Sequence, residues 1–254
     1  MKSSFNSYDH KNSDERIREI LDSAEAFDEI DDIPDRDKLT YANGFYVNCT
    51  ALFIDIRDSS KMPDNHTRPV LGKIYRAYLS ECIAVMNGNA QCRETFISGD
   101  CVSGIYSTPK KIDIDAVFNT AAQLSSIIRI LNWRLAQKDY SQFVCGIGIA
   151  YGRALMLKAG YKGSGVNDVI WMGDVVNETA KLCQEGNRDG QKELQVSTTI
   201  FDNLNEHNKG LLSAVRDWPF DPVMRYEGSI IDLSMQEYLS GLEDRKAISC
   251  PPWI

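Results

Sequence analysis

The order in which strand-like and helix-like segments follow one another constrains the fold of this chain more than any other feature. Residues 50–56 form a short apolar run typical of a buried strand, and apolar residues then recur at helical spacing over 69–86. Two strand-like segments joined by Gly99 and Asp100 come next, before a second long helical pattern over about 115–136. This mixture of hairpins and helical crossovers predicts an α+β fold, with a ferredoxin-like mixed sheet flanked by helices.

The rest of the chain extends this pattern toward both ends. After Asn12, which with Glu15 forms a candidate helix cap, apolar residues continue at helical spacing as far as Ile30. We therefore expect a polar N-terminus with a helical arm, a main folded domain and a C-terminal tail, with the bounds 1–44, 45–240 and 241–254. The other expected elements are a helix over 173–184 and strands over 94–98, 102–106, 144–151, 154–158, 169–172, 194–197, 211–218 and 230–239.

Charge and cysteine content exclude several classes of function. The formal net charge is −8, which disfavours a protein that binds long nucleic-acid duplexes through a basic face. The 7 cysteines are scattered and only 3 histidines are present, so we expect neither a zinc site nor a disulfide framework, and we expect a reducing cytoplasm. No apolar run reaches membrane-spanning length and the N-terminus lacks the apolar core of a signal peptide, so no membrane partner is expected.

Two carboxylates stand at positions where strands end. Asp55 closes the apolar run 50–56, and Asp100 lies in the tight turn after Gly99. If these strands are neighbours in one sheet, the two carboxylates converge at its edge, and such hard oxygen ligands suit Mg²⁺ or Mn²⁺. Either aspartate alone is better explained as a turn former or a cap, so the prediction of a metal site depends on the pair.

Four segments together resemble the class III adenylate and guanylate cyclases. LFIDI at 52–56 is similar to the metal-binding strand of that family, and FISGD at 96–100 is similar to its second metal-binding hairpin. CGIGIAYG at 145–152 resembles the family's glycine-bearing strand, and IWMGDVVNETAKL at 170–182 resembles the segment that carries its transition-state residues. The four segments occur in the family's order and at similar separations. The resemblance therefore implies that 45–240 is a cyclase catalytic domain.

The resemblance also implies composite active sites between the two subunits of a head-to-tail homodimer. One subunit would supply Asp55, the backbone carbonyl of Ile56 and Asp100 to Mg²⁺ or Mn²⁺, two ions per site. The other subunit would supply Asn177, which in the family positions the ribose. One helical turn later the family has an arginine at the phosphate, and this chain has Lys181. A lysine keeps the charge but lacks the planar fork, so it cannot make a bidentate contact.

The positions that read a purine base in this family carry apolar residues here. Phe96 stands where adenylate cyclases have lysine and guanylate cyclases have glutamate, and Ile170 stands at the partner position. Neither side chain hydrogen-bonds a purine edge. The chain thus resembles the bacterial uridylate and cytidylate cyclases of anti-phage defence, with Phe96 filling the pocket or stacking on a smaller base. Alternatively, both are core residues and the base is read elsewhere. Further candidate readers are Thr50, Arg93, Thr95 and Tyr151.

The leading hypothesis is a uridylate cyclase that converts UTP to 3′,5′-cyclic UMP, since a cationic donor such as Arg93 favours the O4 acceptor of UTP. The alternatives are the same reaction on CTP, then on ATP or GTP, and a degenerate domain that only binds a nucleotide or a partner. Segment 145–152 lacks the Rossmann spacing, and the glycine-rich KGSG at 162–165 lacks the ending of a P-loop. Lys158 and Lys162 are further candidates for contacts with the triphosphate.

Overall fold

The computed structural model describes residues 5, 7–24, 26–160 and 168–249. The strands are β1 (Ala26–Ile30), β2 (Asn43–Ile56), β3 (Cys92–Ser98), β4 (Cys101–Tyr106), β5 (Cys145–Ala159), β6 (Asp168–Met172), β7 (Leu194–Val196), β8 (Ser213–Val215) and β9 (Arg225–Gly228). The helices are α1 (His10–Asp22), α2 (Met62–Asn65), α3 (Arg68–Asn87), α4 (Lys111–Ala136), α5 (Asp174–Glu185), α6 (Thr198–Asn203), α7 (Glu206–Gly210) and α8 (Leu233–Ser249). Short 3₁₀ turns span Arg36–Lys38 and Ser59–Lys61.

The strands form one mixed sheet in which the long strand β2 is central. Neighbouring strands follow the order β3, β4, β2, β5, β7, β9, β8, while β1 adds to the N-terminal half of β2 and β6 to the C-terminal half of β5. Strand β2 pairs antiparallel with β5 along nearly its whole length, and with β4 along its C-terminal half. Strand β1 runs parallel to β2, and β7 runs parallel to β5. This mixed sheet with flanking helices confirms the predicted α+β class.

The two faces of β2 meet different helices because successive residues point in opposite directions. Leu52 and Ile54 enter the larger core, which α3 and α4 complete on one face of the sheet. Cys49 and Ala51 enter a second core, to which α5 contributes Val175 and other residues on the opposite face. The same alternation puts Asp55 on the α5 face.

The N-terminal segment differs from the expected helix over 12–30. Helix α1 ends at Asp22, and residues 26–30 form β1, which pairs with β2 from Asn43 to Val47. The physical reason is a local fit to the sheet: a Cβ added to Gly44 would lie 2.8 Å from the ring of Phe27, so this glycine leaves the space that Phe27 fills. Residues 26–30 have an apolar spacing that also suits a helix, but they form a strand because they pair with β2.

The C-terminal part of the structure differs from the sequence-based expectation more than the N-terminal segment does. The strand expected over 230–239 is instead the start of α8, which extends past residue 240, the expected end of the main domain. Asp232 caps this helix by accepting a hydrogen bond from the backbone N–H of Met235 at 3.0 Å. The strand expected over 211–218 shortens to β8, and the two strands expected over 144–158 form the single strand β5. The structure adds β9, α6 and α7, which the sequence patterns do not predict.

The described helices include none that is long and apolar enough to cross a membrane.

Candidate active site

Asp55 and Asp100 lie at the same edge of the sheet. The pairing of β2 with β4 aligns Ile54 with Val102, so Asp55 at the end of β2 is adjacent to the turn that precedes β4. Asp100 occupies that turn, directly after Gly99, whose φ of +65° is the left-handed conformation that glycine adopts freely. The structure thus brings together the two carboxylates that the sequence pairs, and the backbone of Ile56 follows Asp55 at the same strand end.

The electrostatics of this edge favour a cation. Burial and then the neighbouring charge of Asp100 raise the pKa of Asp55, and the positive charges of Arg57 and Arg188 only partly oppose the shift. Oδ2 of Asp100 is buried, and it has no hydrogen-bond partner within the described part of the chain. Two convergent carboxylates with an unsatisfied buried oxygen suit a hard divalent cation such as Mg²⁺ or Mn²⁺.

Arg57 is the nearest cation to this pair and is not among the site residues that the sequence predicts. Its side chain is only 7% exposed, and its Nη1 lies 3.7 Å from Oδ2 of Asp55. Its Nη2 donates a hydrogen bond of 2.6 Å to the backbone carbonyl of Cys183, in the last turn of α5. The signal available in the sequence is a charged residue directly after an apolar strand.

Helix α5 carries the other predicted catalytic residues. It packs across β5 through a buried face formed by Val175, Thr179, Leu182 and Cys183. Asn177 and Lys181 lie one helical turn apart on its exposed face. Within the residues that the structure describes, no hydrogen bond or ion pair links either side chain to Asp55 or Asp100. Both side chains therefore face solvent, away from the buried face of α5.

The predicted base-reading residues are not brought together. Phe96 on β3 packs against the second core, together with Trp171 on β6. Ile170 alternates in direction with Val169 and Trp171, which pack into the cores of the α5 face, so its side chain lies on the other face of β6. The residue that shares a core with Phe96 is thus Trp171, one position after the residue that the sequence predicts.

Comparisons with known proteins give the family. No protein-family model matches the chain. A uridylate cyclase of Treponema porcinum is 36% identical over 233 residues, which cover 92% of this chain and 81% of that protein. A uridylate cyclase of Gulbenkiania mobilis is 40% identical over 190 residues, which cover 72% of this chain and 74% of that protein. This chain belongs to the uridylate cyclase family.

Solved class III cyclases have the same fold as this cyclase. A guanylyl cyclase structure matches with a TM-score of 0.61 and 16% identity, covering 74% of this chain and 95% of its own. The adenylyl cyclase CyaB from P. aeruginosa matches with a TM-score of 0.61 and 17% identity, covering 74% of this chain and 96% of its own. The predicted resemblance to class III cyclases is confirmed, and the chain is a nucleotide cyclase.

A buried carboxylate links three segments of the cyclase beside Phe96. Glu94 accepts hydrogen bonds from Nε and Nη2 of Arg36 at 2.7 and 2.9 Å, and from the indole N–H of Trp171 at 2.8 Å. Arg36 also lies 3.4 Å from Asp168 at the start of β6. None of these residues is predicted from the sequence as part of the site, because the network joins residues that are far apart in the chain.

Thr50 lies outside this part of the cyclase, which corrects its assignment as a candidate base reader. It is fully buried on the face that packs against α3 and α4, opposite to Asp55. Its hydroxyl lies 2.7 Å from the hydroxyl of Thr108, so it already has a hydrogen-bond partner. Tyr151, another candidate, packs against the same larger core.

Thr95 points away from Phe96, because residues on a strand alternate in direction. Arg93 is the extra residue of a β-bulge in β3 and lines the same cavity as Glu94 and Arg36. Arg93 is exposed and donates a hydrogen bond to the carbonyl of Ala90 at 2.9 Å. Of the candidate triphosphate contacts, Lys158 lies 5.1 Å from the ring centroid of Tyr41. Lys162, with the rest of the glycine-rich segment 162–165, lies outside the described residues.

Proposed function

We propose that this cyclase converts UTP to 3′,5′-cyclic UMP and pyrophosphate, as a cytoplasmic homodimer that signals in anti-phage defence. The observation that carries the proposal is the convergence of Asp55 and Asp100 at one edge of a class III cyclase sheet, in a chain whose relatives are named uridylate cyclases. In this reaction the ribose 3′-oxygen forms a bond to the α-phosphorus as the bond to the β-phosphate breaks. Pyrophosphate leaves and the hydroxyl proton is released.

Asp55, Asp100 and the backbone carbonyl of Ile56 would hold two Mg²⁺ or Mn²⁺ ions. When bound, such ions neutralise phosphate charge and make the 3′-hydroxyl more acidic. The buried Oδ2 of Asp100 supports this assignment, since a buried acceptor without a donor is costly unless a cation satisfies it. Asp55 is 28% exposed at its side chain, which leaves it accessible to a nucleotide that arrives from solvent.

A head-to-tail homodimer would supply the remaining catalytic groups. Asn177 and Lys181 are exposed on α5, and among the described residues no hydrogen bond or ion pair joins them to the carboxylates of their own chain. A two-fold arrangement would direct these side chains at the carboxylates of the other subunit, with Asn177 on the ribose and Lys181 on a phosphate. Lys181 provides charge without the fork of an arginine.

The uracil ring would lie against Phe96 and Trp171, which pack on the same core. Aromatic faces stack on a base without reading its edge, so this surface supplies shape rather than hydrogen bonds. Ile170 would then act through the backbone of β6 or through packing, since its side chain lies on the other face.

The decisive experiment measures product formation from ATP, GTP, CTP and UTP separately, with Mn²⁺ or Mg²⁺, by mass spectrometry. We expect cyclic UMP as the main product. Cyclic CMP would keep the mechanism and change the base, and cyclic AMP or GMP would refute the pyrimidine assignment. If no product forms from any of the four while a nucleotide still binds, the chain is either a degenerate binding domain or a cyclase that requires an activator.

The composite site is tested by mixing two inactive variants. Asp55→Ala leaves Asn177 intact, and Asn177→Ala leaves both aspartates intact. If the sites are composite, a fully exchanged mixture contains heterodimers with one working site each and recovers about a quarter of the parental activity. If each subunit holds a complete site, the mixture stays inactive. The defence role is tested separately, by phage challenge of bacteria that carry the parental or the Asp55→Ala chain with its native effector.

A further inference from the structure

We propose that Arg57 is a positioning residue that ties the end of β2, which carries Asp55, to the last turn of α5, the helix that carries Asn177 and Lys181. The tie consists of one guanidinium group: Nη1 faces Oδ2 of Asp55 at 3.7 Å, and Nη2 donates to the carbonyl of Cys183 at 2.6 Å. Because Asp55 and α5 serve different sites in the proposed homodimer, Arg57 couples the two sites. This role rests on the proposed function, but the tie itself does not.

The burial of Arg57 shows that the contact is built into the fold rather than formed by chance at the surface. The residue is 9% exposed, and its Nε has no hydrogen-bond partner among the described residues. Burying a cation with an unsatisfied donor is costly, and the polar contacts of the guanidinium with Asp55 and with Cys183 offset part of that cost. Both contacts lead to the catalytic machinery, one to a metal ligand and one to the catalytic helix.

The neighbouring strand is shaped to make room for this contact. A Cβ added to Gly146 would lie 2.2 Å from Nη2 of Arg57 and 2.4 Å from the carbonyl oxygen of Cys183. No side chain larger than hydrogen therefore fits between β5 and the contact. Cys183 is anchored from the same direction, since its Sγ donates to the carbonyl of Gly146 at 3.3 Å.

The position of the acceptor explains why a cation is suited to the task. The last carbonyls of a helix carry a partial negative charge and lack the usual i+4 donor; that of Cys183 accepts only a longer hydrogen bond of 3.3 Å from the cap residue Gly186 within its own helix end. Cys183 lies in the last turn of α5, which ends at Glu185, and Arg57 reaches it from 126 positions earlier in the chain. The guanidinium therefore holds the C-terminal end of α5, and with it the orientation of Asn177 and Lys181 two turns and one turn before.

Replacing Arg57 with lysine distinguishes the effect of the two-way contact from the effect of the positive charge. Lysine keeps a positive charge near Asp55, but a single ammonium group has no fork with which to reach two acceptors in fixed directions. Arg57→Lys therefore tests the tie, and Arg57→Met removes the tie and the charge together. Arg188→Gln is the matched control, because Arg188 is exposed and its charge also lowers the pKa of Asp55.

The first measurement is hydrogen–deuterium exchange on the metal-free, nucleotide-free dimer. We expect amide exchange in the last turn of α5 to rise several-fold in Arg57→Met and Arg57→Lys, and to stay at the parental rate in Arg188→Gln. Parental exchange there in both Arg57 variants would overturn the proposal, whether or not the protein turns over UTP. If Arg57→Met does not fold, Arg57→Lys alone decides.

The second measurement uses heterodimers with one working site. One subunit carries Asn177→Ala and supplies the aspartates, and the other carries Asp55→Ala and supplies α5. We expect Arg57→Lys in the subunit that supplies α5 to lower kcat at least about tenfold, while KM for UTP changes less than threefold, because catalytic groups misplaced by ~1 Å lose rate. In that subunit Asp55 is already alanine, so only the contact with Cys183 explains a loss.

The outcome depends on which subunit carries the change. Loss of kcat from either subunit supports the coupling of the two sites. Loss only when Arg57 changes beside the intact Asp55 would overturn the tie and leave a purely electrostatic role. Absence of cyclic UMP from the unmodified heterodimer would refute the proposed function instead, and the exchange measurement would still decide the tie. Melting temperature and dimer mass are compared for every variant.

Discussion

The indole N–H of Trp171 donates a hydrogen bond of 2.8 Å to the carboxylate of Glu94. The same carboxylate receives the fork of Arg36, so one buried group connects the N-terminal segment, β3 and β6. These hydrogen bonds fix β3, which carries Phe96, relative to β6, which carries Trp171. Their loss therefore affects both the stability of the fold and the surface proposed for the base.

Glu94→Gln is therefore expected to lower the free energy of unfolding by about 2 kcal/mol, since it removes the buried charged partner of Arg36 and leaves only the more exposed Asp168. It is also expected to raise KM for UTP more than it lowers kcat. Asp168→Asn is the control: both partners of that ion pair are substantially exposed, so the loss stays below about 1 kcal/mol. Urea denaturation and steady-state kinetics measure both effects, and equal losses in the two variants would contradict the central role of Glu94.

The close packing of α5 on β5 gives a second prediction. A Cβ added to Gly148 would lie 2.4 Å from the amide nitrogen of Cys183 and 2.5 Å from the carbonyl oxygen of Thr179. Backbone atoms cannot yield as side chains do, so Gly148→Ala should push α5 off the sheet and cost about 3 kcal/mol. Activity should fall with it, because Asn177 and Lys181 move with the helix.

Gly152→Ala is the matched control on the same strand. Its added Cβ would lie 3.4 Å from Cβ of Val175, a contact that α5 accommodates. We expect the free energy of unfolding of Gly152→Ala to lie within about 1 kcal/mol of the parental value. Alanine lowers the conformational entropy of the unfolded chain, and this gain offsets the small clash. Thermal unfolding compares the two, and a Gly148→Ala protein as stable as Gly152→Ala would mean that α5 sits further from the sheet than the structure has it.

Much of the fold is predictable from local pattern. The long apolar periodicities of α3 and α4, and the tight turn between β3 and β4, predict these elements without reference to distant contacts. Strand β1 is different: most of its residues are exposed, and it exists because β2 offers it backbone partners. Helix α8 has a usable local signal in its cap Asp232, which the alternation of apolar residues over 230–239 outweighs.

The residues of the candidate site likewise include some that the sequence predicts and some that only the structure reveals. Asp55 and Asp100 are predictable because a family resemblance and two strand ends indicate them independently. Arg57 and Glu94 are not, because what makes each important is a partner elsewhere in the chain: Cys183 lies 126 positions from Arg57, and Arg36 lies 58 positions from Glu94. Strand alternation also decides between Ile170 and Trp171, and this requires the register with β5 rather than the sequence alone.

Thr50 offers a test of the corrected base pocket. Its buried hydroxyl pairs with that of Thr108 at 2.7 Å on the face opposite Asp55. Thr50→Val should cost about 1–2 kcal/mol, because it leaves the Thr108 hydroxyl buried with one partner fewer, and should leave KM for UTP unchanged. The double variant Thr50→Val with Thr108→Val should recover most of that loss, because both hydroxyls are then removed. An altered KM at unchanged stability would return Thr50 to the base pocket.

The last prediction concerns the cost of holding two carboxylates together before a cation arrives. Burial and the charge of Asp100 raise the pKa of Asp55 above its usual range, so the folded protein resists the ionised form of Asp55. A folded-state pKa that is raised adds stability at acidic pH, and this contribution is lost as the pH rises through that pKa. The metal-free cyclase is therefore less stable at neutral pH than its packing alone would make it.

Asp100→Asn keeps the shape of the turn and removes one charge. With chelator present at neutral pH, we expect its melting temperature to exceed the parental value by about 2–4 °C, the shift that ~1 kcal/mol produces in a chain of this size. The gain should fade at acidic pH, where Asp55 is protonated in both proteins. Turnover of UTP should fall by about 10³-fold, because the variant lacks one of the proposed metal ligands. Asp58→Asn is the control, since Asp58 is exposed, pairs with Lys61 at 3.3 Å, and has a φ of +54° that asparagine tolerates. A variant at position 100 that is less stable than the parent without metal would mean that the carboxylates do not oppose each other, and the two-cation site would lose its physical basis.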